Sequence, residues 1–138
     1  MKKHLTVLII DDDADDKEMF CEVVAEIGAN ISCVMASGAQ EALHLLKNKK
    51  VAPDFIFLDL NMPRMNGKQC LEQLKQVEEF ASIPVIIYST SKNNEDKEIT
   101  RKLGSVYFLT KPSSMQDLKK ELESIFAKEY ENVVSKNP

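Results

Sequence analysis

The sequence predicts an α/β fold in which a doubly wound, five-stranded parallel sheet has helices on both faces. Five short apolar segments alternate along the chain with five stretches whose apolar residues recur at helical spacing. Four of the five segments are apolar at nearly every position, which is typical of strands covered on both faces. Right-handed crossovers between such strands leave few other arrangements.

The elements follow one another in a regular order. The first, third, fourth and fifth predicted strands are the continuous apolar runs at 7–10, 55–58, 85–88 and 106–109, and the second, at 31–36, is more mixed and suits an edge strand. Helical stripes cover 19–27, 39–46, 71–77 and 115–126. The fourth helical stretch, 94–103, is weakly apolar, with Ile99 and Leu103 as its main anchors.

The composition fits one compact soluble domain. The chain has 138 residues, 43% of them hydrophobic, and a net charge of −4, so it can bury a conventional core. The acidic balance argues against nucleic acid or an anionic membrane as the main partner. No apolar stretch approaches the ~20 residues that span a bilayer. Cys21, Cys33 and Cys70 lack metal-ligand spacing, which predicts reduced core thiols in a cytoplasmic protein.

Acidic, hydroxyl and lysine side chains follow four of the predicted strands. They are Asp11, Asp12, Asp13, Asp15 and Asp16 after the first strand, Asp59 after the third, Ser89, Thr90 and Ser91 after the fourth, and Thr110, Lys111 and Pro112 after the fifth. The carboxyl ends of parallel strands meet at one edge of the sheet, so we expect these side chains to converge there.

The converging side chains are suited to phosphoryl transfer. The carboxylates of Asp11, Asp12 and Asp59 would repel one another unless a cation lay among them, and Mg²⁺ prefers such oxygen ligands. Lys111 and the hydroxyl of Ser89 could then hold the oxygens of a phosphoryl group on a carboxylate nucleophile.

Simpler roles are open to some of these residues. Asp13 could cap the first helix, with Asp15 and Asp16 favourable near its positive end. The serines after the fourth strand could be turn or cap residues, and Lys111 could be an exposed loop lysine. Capping does not account for Asp11 and Asp12.

Four segments resemble, in this order, the motifs of the receiver domain of two-component response regulators. They are VLIIDDDADD, DFIFLDLNMPRMNG, IPVIIYSTS and FLTKP. The resemblance covers about residues 5–129, and it implies a flavodoxin-like fold and a single receiver domain over 1–138, with 130–138 as a short tail. It further implies that no output domain follows and that the signal leaves through protein contact.

The resemblance implies a role for each acidic residue. Asp59 would be the phosphoacceptor, taking a phosphoryl group from a phosphohistidine of a sensor histidine kinase or a histidine phosphotransfer protein. Asp12, Asp59 and the backbone carbonyl of Asn61 would bind Mg²⁺. Asp11 would act through a metal-bound water.

The remaining positions would serve the phosphoryl group and the switch. Ser89, in place of the usual threonine, and Thr90 would bind phosphoryl oxygens, and Lys111 would pair with the phosphorylated carboxylate. Phe108 would move as Ser89 shifts, remodelling the face formed by the fourth helix, fifth strand and fifth helix, through which a homodimer would form.

Loop residues complete the implied site. Pro63 and Gly67 would shape the loop after the acceptor, which Gly67 closes. A cis peptide before Pro112 would aim the preceding lysine inward. Small polar residues at Asn61 and Ser91 flank the pocket where the family tunes dephosphorylation.

As a whole, the resemblance implies a cytoplasmic, bacterial signalling protein rather than an enzyme, because a receiver catalyses only its own phosphorylation and dephosphorylation. Neither nucleic acid nor a membrane is expected as a partner. The chain is similar to stand-alone receivers that partner bacterial phytochromes.

Two other functions compete with this interpretation. A phosphotransferase of the haloacid-dehalogenase type would use Asp11 as nucleophile and Asp13 as general acid, but it would leave Asp59 unexplained and would need a further acidic pair. A phosphorylation-independent binding module of the same fold would be favoured by loss of an acid, the hydroxyl or the lysine, and all are present.

Overall fold

A five-stranded parallel sheet forms the centre of the computed structural model, which describes residues 4–136 and the side chains of residues 4–128. The strands are β1 (Leu5–Ile10), β2 (Ile31–Ala36), β3 (Phe55–Leu58), β4 (Val85–Ser89) and β5 (Tyr107–Thr110). The helices are α1 (Ala14–Ile27), α2 (Ala39–Lys47), α3 (Gly67–Gln76), α4 (Glu78–Ala81), α5 (Asn94–Leu103) and α6 (Met115–Lys136). The strand order β2-β1-β3-β4-β5 is that of flavodoxin-like folds, which confirms the predicted fold class.

Each face of the sheet has its own core, because successive strand residues point to opposite sides. Leu8 of β1 and Ile56 of β3 belong to the core covered by α2, α3 and α4. Their neighbours Val7 and Phe57 belong to the core covered by α1 and α6. Both faces being covered explains why β1, β3 and β4 read as continuous apolar runs, whereas β2 at the edge of the sheet is more mixed.

Local sequence signals set the helix ends. The side chain of Asp13 accepts the backbone N–H of Asp16, which confirms the predicted cap of α1. Asn66 and Gln69 form a capping box at the start of α3. Gly104 ends α5 with a left-handed φ of 112°, a conformation that favours glycine.

The structure adds one helix to those that the sequence predicts. The short helix α4 buries Phe80, but its four residues are too few to show a periodic stripe. The fourth and fifth predicted helices are therefore α5 and α6. Among residues 4–136, no helix combines the length and the apolar character that crossing a membrane requires.

The prediction of three reduced thiols is wrong for two of the cysteines. Cys21 and Cys33 are joined in a disulfide, with their Cα atoms 5.6 Å apart, whereas Cys70 is free and buried. The pair forms because α1 packs beside the edge strand β2, which brings together two residues that lie on different elements. An odd cysteine count does not exclude one pair with one residue left over.

Candidate phosphoryl-transfer site

Four neighbouring strands deliver their polar residues to one edge of the sheet, as predicted. Asp11 follows β1, Asp59 follows β3, Ser89 ends β4, and Lys111 follows β5. Asp11, Asp59 and Ser89 are buried. Burial of this many polar groups is costly unless they are paired, so their contacts decide what the site can do.

Three carboxylates are close enough to share one cation. Ligand oxygens of Asp11, Asp12 and Asp59 all lie within 4.8 Å of one another, with Asp12 exposed at the rim. Three hard oxygen donors, two of them buried, match the preference of Mg²⁺ for carboxylates together with water. The residues present therefore fit the divalent ion that the sequence predicts.

The carboxyl group of Asp59 is held in an unusual electrostatic environment. Burial, opposed by the charge of Lys111 and reinforced by that of Asp11, raises the pKa of Asp59 from 3.8 to about 6. The backbone N–H of Asn61 donates to Asp59 Oδ1 at 3.3 Å. Asn61 itself is exposed.

Lys111 lies close to three carboxylates of the site. Its Nζ lies 2.8 Å from Asp11 Oδ2, 2.7 Å from Asp16 Oδ2 and 3.8 Å from Asp59 Oδ2. Burial opposes its charge, but the hydrogen bonds to Asp11 and Asp16 outweigh that effect and raise the pKa of Lys111. The same Nζ lies 5.3 Å from the ring centroid of Tyr88, whose buried hydroxyl has no hydrogen-bond partner among the described residues.

The predicted cis peptide before Pro112 is wrong, because the Lys111–Pro112 bond is trans, like the other peptide bonds of the described chain. The backbone N–H of Lys111 donates to the carbonyl oxygen of Ser89 at 2.7 Å, which fixes the end of β5 beside β4. From this anchor the long side chain reaches Asp11 without a cis bond.

The hydroxyl of Ser89 is buried and accepts the backbone N–H of Ser91 at 3.3 Å. Ser91 Oγ donates to Asp96 Oδ2 at 2.8 Å, and Lys68 Nζ lies 2.8 Å from Asp96 Oδ1. These contacts link the end of β4 to α3 and α5, an arrangement that the sequence did not predict. Thr90 is exposed beside this network.

The loop after β3 depends on the glycine that closes it. The N–H of Gly67 donates to the carbonyl oxygen of Leu60 at 3.0 Å. A Cβ atom at Gly67 would collide with the carbonyl oxygen of Asp59 and would lie 2.7 Å from Leu60 Cα. Glycine is therefore required here for space, whereas Pro63 lies exposed on the outer side of the loop.

Phe108 occupies an intermediate position at the predicted switch. Its ring is partly buried against the core under α2 and α3, and Lys97 Nζ lies 5.8 Å from the ring centroid. The ring is therefore neither fully buried nor fully exposed to solvent, and it lies near Lys97 of α5.

Asp16 was predicted only to favour the helix dipole, and its contact with Lys111 was missed. With Asp13 as cap, Asp16 occupies the third helical position, where an acid often reaches back to the backbone N–H of the cap. Here that N–H donates to Asp11 Oδ1 at 3.0 Å instead. The carboxylate of Asp16 is therefore available to bind Lys111. The position of Asp16 three residues after the cap is the sequence signal that could have identified it.

The site can be compared with known proteins now that its geometry is described. The family model of the response regulator receiver domain matches residues 7–123. This chain belongs to that family. It is a receiver domain of two-component signalling. The predicted family resemblance is thus confirmed.

Relatives of different lengths share this domain. The chain is 25% identical over 136 residues to the probable C4-dicarboxylate response regulator DctR of Bacillus subtilis, and 34% identical over 121 residues to the phosphate regulon regulator PhoB of Pseudomonas aeruginosa. It spans 58% and 51% of those two proteins, using 99% and 87% of its own length. It is 27% identical to response regulator Rcp1 of Synechocystis, with 86% of this chain and 84% of Rcp1 covered.

Solved structures support the same assignment. The phosphorylated cyanobacterial phytochrome response regulator RcpA is similar with a TM-score of 0.82 and 26% identity, over 89% of this chain and 91% of RcpA. The Mn²⁺-bound form of Rcp1 has a TM-score of 0.79 and 26% identity, over 89% and 92% of the two chains. RcpA is a phytochrome response regulator, the kind of receiver that the sequence resembles.

Proposed function

We propose that this chain accepts a phosphoryl group on Asp59 from a phosphohistidine of a sensor kinase or histidine phosphotransfer protein, with Mg²⁺ as cofactor. One observation carries the proposal. The buried carboxylate of Asp59 stands at the end of β3 with two further carboxylates within 4.8 Å and the Lys111 ammonium at 3.8 Å. This arrangement combines a nucleophile with the charges that phosphoryl transfer needs.

In the transfer, an oxygen of Asp59 forms a bond to phosphorus while the phosphorus–nitrogen bond to histidine breaks, and the imidazole leaves with the bonding electron pair. Asp11, Asp12 and Asp59, with the carbonyl of Asn61, would hold Mg²⁺. The ion would offset charge on the carboxylates and the phosphoryl oxygens. Lys111 keeps its proton throughout and offers a positive charge to the oxygen nearest to it.

The haloacid-dehalogenase alternative finds no support in the geometry. That mechanism needs Asp13 as a general acid facing the substrate. Here Asp13 Oδ1 accepts the backbone N–H of Asp16 as the cap of α1. We therefore propose that the chain turns over only its own phosphoryl group and does not act as an enzyme on other substrates.

We further propose that the phosphorylated protein signals through contact of the α5–β5–α6 face with a partner or a second copy, in the cytoplasm. Val106, Tyr107 and Met115 stand on this face and are exposed by 48%, 42% and 40%. Phe108, on the same strand as Tyr107, is partly buried against the core covered by α2, α3 and α4. Sedimentation with and without beryllofluoride tests the homodimer, and an unchanged mass would exclude self-association through this face.

Incubation with acetyl phosphate and Mg²⁺ tests the phosphoacceptor. We expect a mass increase of one phosphoryl group, removable by hydroxylamine as an acyl phosphate is, and no increase with EDTA. Asp59→Asn should abolish labelling, and Asp117→Asn, an exposed acid on α6, should leave it unchanged. Labelling of Asp59→Asn at the wild-type level would refute the assignment.

A further inference from the structure

A closed ring of four hydrogen bonds joins the acidic segment after β1 to Lys111. Asp11 Oδ1 accepts the N–H of Asp13 at 3.0 Å, and Asp13 Oδ1 accepts the N–H of Asp16 at 2.9 Å. Lys111 Nζ then donates to Asp16 Oδ2 at 2.7 Å and to Asp11 Oδ2 at 2.8 Å. We call these four residues the aspartate–lysine ring.

The two carboxylates that hold Lys111 differ in what else they face. Asp11 is completely buried and is one of the three acids that could share a cation. Asp16 stands on the first turn of α1, outside that group of three, with its side chain 32% exposed. An ion among the three acids competes with Lys111 for Asp11, but it does not compete for Asp16.

An ammonium group has three N–H donors, and their directions are coupled. In the ring, Asp16 and Asp11 accept two of them, and the third is free to face Asp59, whose Oδ2 lies 3.8 Å away. When Asp11 is engaged elsewhere, the 2.7 Å bond to Asp16 still fixes the position of the ammonium. The cap made by Asp13 fixes the backbone of Asp16 in turn.

We propose that Asp16 is a positioning residue for phosphoryl transfer, which keeps the ammonium of Lys111 directed at Asp59. The inference rests on the proposed function of Asp59 as phosphoacceptor. It gives a reason for the fifth acid of the DDDADD segment, which neither the helix cap nor the three-acid group requires. Asp16 acts through Lys111 and does not touch the phosphoryl donor.

Electrostatics alone predicts the opposite effect of removing Asp16. Acetyl phosphate is an anion, so loss of a negative charge beside the pocket should speed its reaction. Loss of positioning should slow it instead, because Lys111 is then free to turn away from Asp59. The direction of the change therefore separates the two explanations. Asp15→Asn provides the matched control, because Asp15 is exposed on the same helical turn and its substitution removes the same charge.

The first measurement is the rate of labelling by acetyl phosphate at saturating Mg²⁺. Asp16→Asn should lower the maximal rate about tenfold, the effect of losing one charge-assisted hydrogen bond, with little change in the donor concentration at half-maximal rate. Asp16→Glu should restore part of the rate, and Asp15→Asn should equal or exceed the wild type. A wild-type or faster rate for Asp16→Asn would overturn the proposal.

The second measurement needs neither metal nor activity. In EDTA, reductive methylation followed by peptide mass spectrometry gives the reactivity of each lysine. Lys111 should react several-fold faster in Asp16→Asn than in the wild type or Asp15→Asn, while exposed Lys128 should be unchanged. Unchanged reactivity of Lys111 would also refute the role of Asp16. If the wild type itself takes up no phosphoryl group, the proposed function fails, and lysine reactivity still reports on Asp16.

Discussion

Replacing Asp59 by asparagine should stabilise the metal-free protein at neutral pH, although it removes the proposed phosphoacceptor. The ionised carboxylate is buried next to Asp11, and the attraction of Lys111 does not fully offset its burial. Asparagine has nearly the same shape, carries no charge, and retains an oxygen that can accept the N–H of Asn61. The substitution therefore removes a cost and leaves the packing in place.

The magnitude follows from the pKa of Asp59. Folding raises it from 3.8 to about 6, and each pKa unit corresponds to ~1.4 kcal/mol. Because the folded pKa lies above the unfolded one, the folded state binds the proton more tightly, and stability is lost as the pH rises from about 4 to about 6. Above this window the ionised group costs about 3 kcal/mol, and we expect Asp59→Asn to recover about 1–3 kcal/mol.

Urea unfolding in EDTA at pH 7.5 and pH 4.5 measures this difference. The stability difference between Asp59→Asn and the wild type should shrink at pH 4.5 to about a third of its value at pH 7.5, because folded Asp59 is then mostly protonated. Asp117→Asn controls for the loss of one exposed negative charge and should change little. Asp59→Asn no more stable than the wild type at pH 7.5, or a gap that does not shrink in acid, would refute the electrostatic reasoning.

Three further substitutions and one control variant test the contacts around the site by unfolding measurements. Gly67→Ala should cost about 1–3 kcal/mol of stability because the added Cβ has no space. Gly38→Ala, with open space around it, should change stability by less than about 1 kcal/mol. Equal effects of the two substitutions would contradict the steric explanation. Tyr88→Phe removes a buried hydroxyl that has no partner in the part of the chain that the structure describes, and it should be neutral or stabilising by up to ~1 kcal/mol. A large loss of stability would show that the hydroxyl makes a hydrogen bond. Asp96→Asn weakens a partly exposed ion pair and should cost less than about 1 kcal/mol of stability. It should also change the amide NMR shift of Ser91, and an unchanged shift would show that Ser91 does not depend on Asp96.

The sheet and the position of the site could be predicted because both depend on local patterns. Runs such as 55–58 are apolar throughout because both faces of their strand are covered, and the chain then places Asp59 at the strand end. Strand order follows from the handedness of the crossovers and from the resemblance, not from any single residue.

What escaped prediction depends on contacts between elements. The Cys21–Cys33 disulfide forms only because α1 lies beside β2, a relation that the spacing of the two residues does not reveal. Asp16 was assigned to the helix dipole because its partner, Lys111, lies on another strand end. The bond before Pro112 was expected to be cis only from the family resemblance, and it is trans.

Because the aspartate–lysine ring closes on itself, the first turn of α1 and the segment after β5 share one equilibrium. A cation that draws Asp11 away from the N–H of Asp13 removes one of the hydrogen bonds that hold the start of α1. If the cation thereby changes the affinity of α1 for a docked protein, that protein changes the affinity of the acids for the cation by the same factor. Affinity for Mg²⁺, measured with and without a partner protein docked on α1, would therefore report on that docking, although the partner need never touch the ion.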